Sequence, residues 1–254
     1  MSAIEAHARF KVHHDCEDEF RDTISPLIAG VRENEPGTLR YDWFTNGDGA
    51  EYFSFDIYAD EAAMHAHQRN SGEQFLRALA LADVSVELLG APMAKPDDRP
   101  APFRQLRYDF AYGLGKHSAA ANFTAEARDS DTGHIEIYSK FQIEPGRLDE
   151  FKSCAAAVLD VVKDKDPGTI RYDWFYDDAN LQCLAMDSYR DADALFGHME
   201  NASTPHARLL EIATTDTEFL GALPQRVFTA VAKYQPRIWT FHDGIKAYSS
   251  GGFG

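Results

Sequence analysis

The chain reads Glu35-Pro36-Gly37-Thr38-Leu39-Arg40-Tyr41-Asp42-Trp43-Phe44 in its first half, and 131 residues later it reads Asp166-Pro167-Gly168-Thr169-Ile170-Arg171-Tyr172-Asp173-Trp174-Phe175. The same offset aligns residues 8–90 with residues 139–221 without a gap, and 25 of the 83 positions are identical. Self-similarity at a fixed offset indicates a duplicated structural unit. The 254 residues are therefore predicted to be two versions of one unit joined by a linker.

Each copy shows the same predicted order of elements around the repeated stretch. Alternating apolar and polar residues predict strands in the first copy near residues 4–12, 38–45, 50–58 and 83–89. Apolar residues at helical spacing predict a helix after the first strand, which Asp15 or Asp18 is expected to cap, and a second helix after the third strand. Each copy is therefore predicted to follow the order β-α-β-β-α-β.

This order is that of the ferredoxin-like split β-α-β unit. Two helices cover one face of such a sheet, so the other face needs a partner sheet. The sequence therefore predicts an α+β protein in which two ferredoxin-like β-α-β-β-α-β repeats pair as an intramolecular α+β barrel, a pseudo-dimer within one chain. Further association into a homodimer of tandem chains stays open.

The predicted domains are a first repeat at 1–92, an extension and linker at 93–131, a second repeat at 132–223 and a C-terminal extension at 224–254. Prolines and charges predict a boundary loop at 92–102, and small polar residues predict the linker at 119–133. Trp239 and Phe241 indicate that the C-terminal extension packs on something, and its own repeat is the expected partner. The alternative is a lid over the opposite repeat.

Acidic residues outnumber basic ones by 41 to 25, which gives a formal net charge of −16. This balance argues against nucleic acid and anionic membranes as partners, because phosphate groups are bound by basic surfaces. No apolar run reaches the length that crosses a membrane, and the first residues lack the pattern of a signal peptide. The three cysteines are far apart and indicate no disulfide framework. A cytoplasmic protein with a small-molecule partner is expected.

The sequence lacks the motifs of several enzyme classes. It contains no dinucleotide-binding glycine pattern, no nucleophile elbow, no H-E-x-x-H and no C-x-x-C. The run His13-His14-Asp15-Cys16 resembles a metal cluster, but its counterpart Glu144-Pro145-Gly146-Arg147 has no such set of ligands. We interpret the run as a solvated loop and predict no metal site.

Four residues of the second helix recur at steps of three, four and three, which places them on one helix face: Asp60, Ala63, His67 and Asn70, with Asp191, Ala194, His198 and Asn201 in the second copy. Asp is explained as a helix cap and Ala as a close-packing position. Asn either caps a helix break or binds a ligand. His67 and His198 are either buried structural residues or groups that take a proton from a substrate, since imidazole titrates near neutrality.

The second strand of each copy carries two aromatic residues on one face, Tyr41 and Trp43 in the first copy and Tyr172 and Trp174 in the second. One interpretation is an aromatic pair in the core, with an Arg–Asp contact between facing sheets behind it. The other is a wall that stacks on a flat ligand. Tyr58 and Tyr189, which end the third strands, are lower-ranked candidates.

These residues resemble the antibiotic biosynthesis monooxygenase family, and its quinol monooxygenase branch most closely. The resemblance is carried by the Pro-Gly-Thr strand, by the strand ending in Tyr before Ala-Asp-Glu-Ala-Ala, and by the helical His67-x-x-Asn70, and it covers both repeat cores. It implies a dimeric α+β barrel, which one tandem chain supplies by itself. It also implies oxidation of a quinol or polycyclic phenol with O2 as co-substrate and without any cofactor.

On this resemblance His67 and His198 are the catalytic candidates, as base or as orienting donor. Tyr41, Trp43, Asn70, Tyr172, Trp174 and Asn201 are the candidates for binding a small aromatic substrate. Many relatives carry a second His before a Phe, whereas this chain has Gln74-Phe75 in one copy and Pro205-His206-Ala207 in the other. Whether both pockets are active or only one therefore stays open. Haem degradation is disfavoured because the first strand offers no Asn.

Two further functions remain open, because a fold does not choose its chemistry. One is a barrel that binds or senses an aromatic metabolite without turnover. The other is an isomerase or lyase that uses His as a proton shuttle and does not need oxygen.

Overall fold

The computed structural model describes residues 3–90, 104–114 and 134–245. The predicted boundary loop at 92–102 and linker at 119–133 lie outside these residues. The chain divides into two compact units. Unit 1 contains the residues up to Arg107 and a segment that begins at Trp239, and unit 2 contains Tyr108–Ile238. Within the described part of the chain, no helix is long and apolar enough to cross a membrane.

Both repeats show the predicted order, with one additional strand after each. The first repeat consists of β1 (Ile4–Val12), α1 (Glu17–Asn34), β2 (Thr38–Thr45), β3 (Glu51–Tyr58), α2 (Glu61–Leu81) and β4 (Ala82–Gly90), and β5 (Arg104–Gly113) follows it. The second repeat consists of β6 (Ile135–Ile143), α3 (Leu148–Lys165), β7 (Thr169–Asp177), β8 (Gln182–Tyr189), α4 (Ala192–Asn201), α5 (Ser203–Leu210) and β9 (Ala213–Leu220), and α6 (Gln225–Val231) and β10 (Arg237–Gly244) follow it. The predicted α+β class and ferredoxin-like order are confirmed.

The sheet of each unit is antiparallel and contains a strand from the other repeat's extension. In unit 1, β1 pairs with β3 and β4, β2 pairs with β3, and β10 adds to β2 with Phe241 opposite Phe44. In unit 2, β5 adds to β7 in the same way, with Phe110 opposite Phe175. The expectation that the C-terminal extension packs on its own repeat is wrong for β10, which pairs with β2. It holds for α6, whose Val227 joins an apolar cluster with Ile137 and Phe219 of the second repeat. A sheet edge has unpaired backbone groups, and the exchanged strand pairs with those of β2 or β7.

The repeated Pro-Gly-Thr turn lies against the second helix of its own repeat. A Cβ atom built on Gly37 would lie 2.7 Å from the Cβ of Ala63, and one built on Gly168 would lie 2.5 Å from the Cβ of Ala194. Glycine and alanine at these positions therefore allow the turn and the helix to approach closely. This approach brings the residue before each proline near the helix that carries the candidate histidine.

The helix starts agree only partly with the predictions. The side chains of Asp60 and Asp191 cap α2 and α4, as predicted, each accepting a backbone hydrogen bond at 2.9 Å. The prediction that Asp15 or Asp18 caps α1 is wrong, because Cys16 precedes the helix without a side-chain cap and Asp18 lies in its first turn. Asp15 adopts a left-handed backbone with φ 64° where the second repeat has a glycine.

The second helix differs between the repeats. Helix α2 runs for 21 residues through Asn70, so the interpretation of Asn70 as the cap of a helix break is wrong. In the second repeat the helix ends at Asn201, and α5 begins at Ser203. Pro205 explains this break, because proline has no N–H to bond the carbonyl four residues earlier.

Candidate functional site

The candidate site of unit 1 is built around His67 on α2. Its Nδ1 atom lies 2.9 Å from the Oε2 atom of Glu35, the residue that precedes the Pro-Gly turn. A carboxylate only accepts hydrogen bonds, so Nδ1 carries the proton and donates it. In the neutral imidazole, Nε2 is then the acceptor. The pair has the geometry of a histidine whose orientation and tautomer are fixed by a carboxylate.

Glu35 is held by two further hydrogen bonds. The hydroxyl of Thr38 donates to its Oε2 atom at 2.9 Å, and the amide of Asn70 donates to its Oε1 atom at 3.3 Å. Burial alone would raise the pKa of Glu35, but the hydrogen bonds from His67, Thr38 and Asn70 outweigh it and the pKa is lowered. Glu35 is therefore held as a carboxylate that supports the positive form of His67.

Unit 2 repeats this arrangement. His198 Nδ1 lies 2.8 Å from Asp166 Oδ2, and the amide of Asn201 donates to Asp166 Oδ1 at 2.7 Å. In each repeat, the histidine and the asparagine of the helical His-x-x-Asn pair thus hydrogen-bond the same carboxylate. The two asparagines hold the carboxylate, and this is the role in which the structure places Asn70 and Asn201.

A cavity of about 230 Å³ lies beside His67, between α2 and the helix-covered face of the unit 1 sheet. It is lined mainly by apolar side chains together with a few polar ones: Ala6, Ala8, Asp56, Tyr58, Met64, His67, Gln68, Ser71, Phe75, Val86, Leu88 and Gln105. An apolar cavity with a few convergent polar groups is the usual form of a small-molecule site.

The two candidate histidines differ in their exposure and in the surroundings of their Nε2 atoms. His198 Nε2 is buried without a hydrogen-bond partner among the described residues, and the His198 side chain is 4% exposed. His67 lines the cavity and its side chain is 11% exposed. With Nδ1 committed to Glu35, Nε2 is the ring atom of His67 that is left for a ligand.

Larger residues occupy the equivalent positions in unit 2. Ile137 replaces Ala6 and Phe219 replaces Leu88, and both belong to an apolar cluster with Val227 of α6. His206 replaces Phe75, and its ring centroid lies 5.7 Å from that of His198. Burial, together with the nearby His198, lowers the pKa of His206 to about 4. Apolar side chains and a neutral imidazole therefore surround His198.

Of the predicted aromatic residues of the first repeat, the lower-ranked candidate Tyr58 lines the cavity, whereas Tyr41 and Trp43 do not. The ring of Tyr41 is 5.0 Å from that of His67, whereas Trp43 stacks on Phe10 at 5.0 Å in the core. In unit 2, Tyr172 lies 5.1 Å from His198 and Trp174 lies 5.8 Å from Phe141. The tyrosines therefore contact the imidazoles, and the tryptophans pack the core.

The arginine and aspartate on the opposite face of β2 and β7 form an ion pair within each strand. The Arg40 Nε atom donates to Asp42 Oδ2 at 2.7 Å, and Arg171 and Asp173 repeat the contact at the same distance. Both members of each pair are buried. These two contacts are made between neighbours on one strand, and the predicted Arg–Asp contact between facing sheets stays a prediction.

Comparison with known proteins places this geometry in a family. Residues 3–80 match the family model described as antibiotic biosynthesis monooxygenase. The first repeat belongs to the antibiotic biosynthesis monooxygenase family. The second repeat aligns with this region at the 131-residue offset, and His67 and His198 are among the identical positions. No curated protein matches the chain.

Solved structures support the monooxygenase fold. A candidate monooxygenase from Fusobacterium nucleatum superposes with a TM-score of 0.56 and 12% identity over 85% of this chain and 90% of its own. A candidate monooxygenase from Lactobacillus acidophilus superposes with a TM-score of 0.51 and 9% identity over 85% of this chain and 92% of its own. At these identities the likeness shows the fold alone. Each match covers more than one monooxygenase repeat.

Sequence reasoning missed two acidic residues of the candidate site. Glu35 and Asp166 stand at the start of the repeated stretch, and the signal that could have found them is that both copies are acidic there. Asp56, which recurs as Asp187, lines the cavity. Burial raises the pKa of Asp56 to about 7, although the nearby His67 lowers it in part.

The predicted solvated loop at His13 is confirmed as exposed. His13 lies 3.4 Å from Asp83, and His14 lies next to Asp15, all on the surface. Within residues 3–90, 104–114 and 134–245, no three His, Cys, Asp or Glu side chains form a group that could hold a metal ion.

Replacing Glu35 with Gln is expected to lower the turnover number of the monooxygenase repeat about 10–100-fold. The glutamine keeps an acceptor for His67 but removes the charge that stabilises the imidazolium, and a hydrogen bond to a charged group contributes about 1.5–3 kcal/mol. Oxygen uptake as a function of pH measures the effect. The matched variant Asp166→Asn should keep the wild-type rate, and an equal loss in both would contradict this role.

Proposed function

We propose that unit 1 is a cofactor-independent monooxygenase that oxidises a small quinol or phenol with O2, with His67 as the base. The observation that carries this proposal is the Glu35-supported imidazole whose remaining nitrogen is available in an apolar cavity. The match of residues 3–80 to the monooxygenase family agrees with it.

For this oxidation the protein needs to supply only a base, a group that stabilises the protonated base, and an apolar cavity. His67 Nε2 takes the proton of a substrate hydroxyl, and Glu35 stabilises the imidazolium that forms. The resulting anion is electron-rich and transfers an electron to O2. For a quinol the overall change is quinol plus O2 to hydroxyquinone plus water, so one oxygen atom enters the ring and the other leaves as water. The apolar wall keeps bulk water from the anion.

The cavity volume limits the size of the substrate. Pockets that hold drug-sized ligands measure about 300–1,000 Å³. At about 230 Å³, this cavity suits one or two fused rings better than a polycyclic phenol. We therefore propose a mono- or bicyclic quinol as the substrate.

In this proposal the second repeat is a structural copy that does not react. His198 keeps its carboxylate partner, but its Nε2 atom is buried, and Ile137 and Phe219 stand where unit 1 has Ala6 and Leu88. Of the two catalytic candidates, we retain His67.

A cavity-filling variant tests where the reaction takes place. Ala6→Ile gives unit 1 the residue that unit 2 carries at this strand position. We expect KM for 1,4-naphthohydroquinone to rise at least tenfold, because the new side chain occupies the space of one ring. An oxygen electrode measures the rate above non-enzymatic oxidation. Ile137→Val in unit 2 is the matched control, and unchanged kinetics in Ala6→Ile would exclude this cavity as the site.

The same groups also suit an isomerase, because His67 and Asp56 provide two proton-carrying groups in one cavity. Turnover without oxygen distinguishes this function, and ligand-dependent stabilisation without any product indicates a binding protein. A wild-type chain that consumes no O2 with mono- and bicyclic quinols would contradict the monooxygenase proposal.

A further inference from the structure

Asp56 is a buried carboxyl group in the wall of the unit 1 cavity. It lies on β3, pairs through its backbone with Ala6 and Tyr41, and is 7% exposed. The hydroxyl of Tyr58 donates to its Oδ2 atom at 3.3 Å. Its Oδ1 atom is buried and has no hydrogen-bond partner among the described residues.

An orphaned carboxyl oxygen is costly. A buried polar group without a partner loses the hydrogen bonds that water would give it, and such groups are rare in folded proteins. Asp56 lines the same cavity as His67. Among the described residues, neither Nε2 of His67 nor Oδ1 of Asp56 has a hydrogen-bond partner, and both side chains line this cavity.

The charged groups around Asp56 come from three elements. Burial raises the pKa of Asp56 most, and Asp42 of β2 raises it further. His67 of α2 lowers this pKa, as do Ser54 and Tyr58 on β3. Tyr41 of β2 also acts on this site, and burial keeps its phenol neutral by raising its pKa well above the ordinary value. Asp56 therefore gains and loses its proton near neutral pH, with a pKa of about 7.

We propose that Asp56 is a catalytic-site residue that hydrogen-bonds a second oxygen of the substrate, so that unit 1 selects aromatic rings carrying two oxygens. This inference rests on the proposed function in taking the cavity as the substrate site. One hydroxyl of a quinol meets His67 Nε2, and the other meets Asp56 Oδ1. A ring with one oxygen leaves one of these atoms unpaired, and sites built to bind a hydroxyl reject analogues that lack it.

Anaerobic binding tests this inference without any oxidation. Isothermal titration of the full chain at pH 8 compares 1,4-naphthohydroquinone with 4-methoxy-1-naphthol, in which one hydroxyl is blocked. The ionised carboxyl only accepts hydrogen bonds, so we expect the wild type to prefer the quinol at least tenfold. Asp56→Ala should reduce this preference to about onefold. Asp187→Ala removes the equivalent carboxyl of unit 2 and should leave the preference unchanged.

The pH dependence supplies a second readout. At pH 6 the protonated carboxyl can donate to the methoxy oxygen, so the wild-type preference should shrink severalfold from its value at pH 8. In Asp56→Asn the side chain cannot ionise, and the preference should be the same at both pH values. Urea unfolding of each variant checks that the chain is folded.

Three results would overturn the inference: a preference that survives Asp56→Ala, an equal loss in Asp187→Ala, or a wild type that binds neither compound. The proposed oxygenation fails separately. If the wild type prefers the quinol but takes up no O2, the oxygenase proposal is lost and the role of Asp56 stands. If His67→Ala abolishes O2 uptake while Asp56→Ala keeps the preference, only the inference is lost.

Discussion

Replacing His67 with Ala is expected to lower the turnover number for a bicyclic quinol about 10²–10⁴-fold, the range that a positioned general base contributes. The imidazole is the group that joins the Glu35 carboxylate to the cavity, and no water or neighbouring amide can reproduce that link. Oxygen uptake under saturating quinol, with the non-enzymatic rate subtracted, measures the loss. His67→Gln keeps a polar side chain without a titrating group and should be nearly as slow.

The duplication provides a matched control for this experiment. His198→Ala removes a histidine with the same carboxylate and asparagine partners but a buried Nε2 atom. We expect it to reduce stability and leave the turnover number within about twofold of the wild type, since its Nε2 atom is buried. Equal losses in the two variants would show that both repeats catalyse the reaction. No loss in His67→Ala would remove histidine from the mechanism.

The second large effect concerns the dependence of stability on pH. The pKa values of Asp56 and Asp187 are both raised to about 7, mainly by burial, from the ordinary value of 3.8. In the folded state each group holds its proton more tightly than in the unfolded chain, so the free energy of unfolding falls as the pH rises from about 4 to about 7. Each shift corresponds to about 4 kcal/mol at pH 8.

The variants Asp56→Asn and Asp187→Asn remove this loss. Relative to the wild type, each should gain about 4 kcal/mol in unfolding free energy between pH 4 and pH 8. Urea unfolding over a pH series measures this difference. Asp22→Asn, at an exposed position, corrects for the general effect of one negative charge. Parallel curves for Asp56→Asn and the wild type would show that Asp56 ionises normally.

Local sequence patterns were sufficient for the elements of each repeat. The alternation near residues 4–12 predicts β1, and the duplicated spacing predicts that His67 and His198 share one environment. These features depend on periodicity and on neighbouring backbone, which a sequence displays directly. The exchange of β5 and β10 depends instead on which sheet edge each strand meets. Nothing local in residues 104–113 distinguishes β2 from β7 as a partner.

The candidate site was predictable only in part, for a similar reason. The histidines and asparagines are four residues apart or less on a helix, so their shared face can be read from spacing. Glu35 lies 32 residues from His67 in sequence, and their hydrogen bond depends on the close approach of Gly37 to Ala63. The difference between the two units depends on side-chain volume at Ala6 and Ile137. The sequence displays these two residues but not the cavity beside Ala6, so their effect on a ligand site could not be predicted.

The exchanged strands also determine the order in which the chain can be completed during synthesis. Translation delivers β1 to β4 early, but β10, which pairs with β2, consists of residues 237–244. Until those residues emerge, the edge of β2 that β10 later covers is unpaired. Unit 2 receives β5 before its own strands are made. The sheet of unit 2, which we propose does not react, can therefore be complete before that of unit 1. The sheet of unit 1, which holds the proposed reactive site, is completed last.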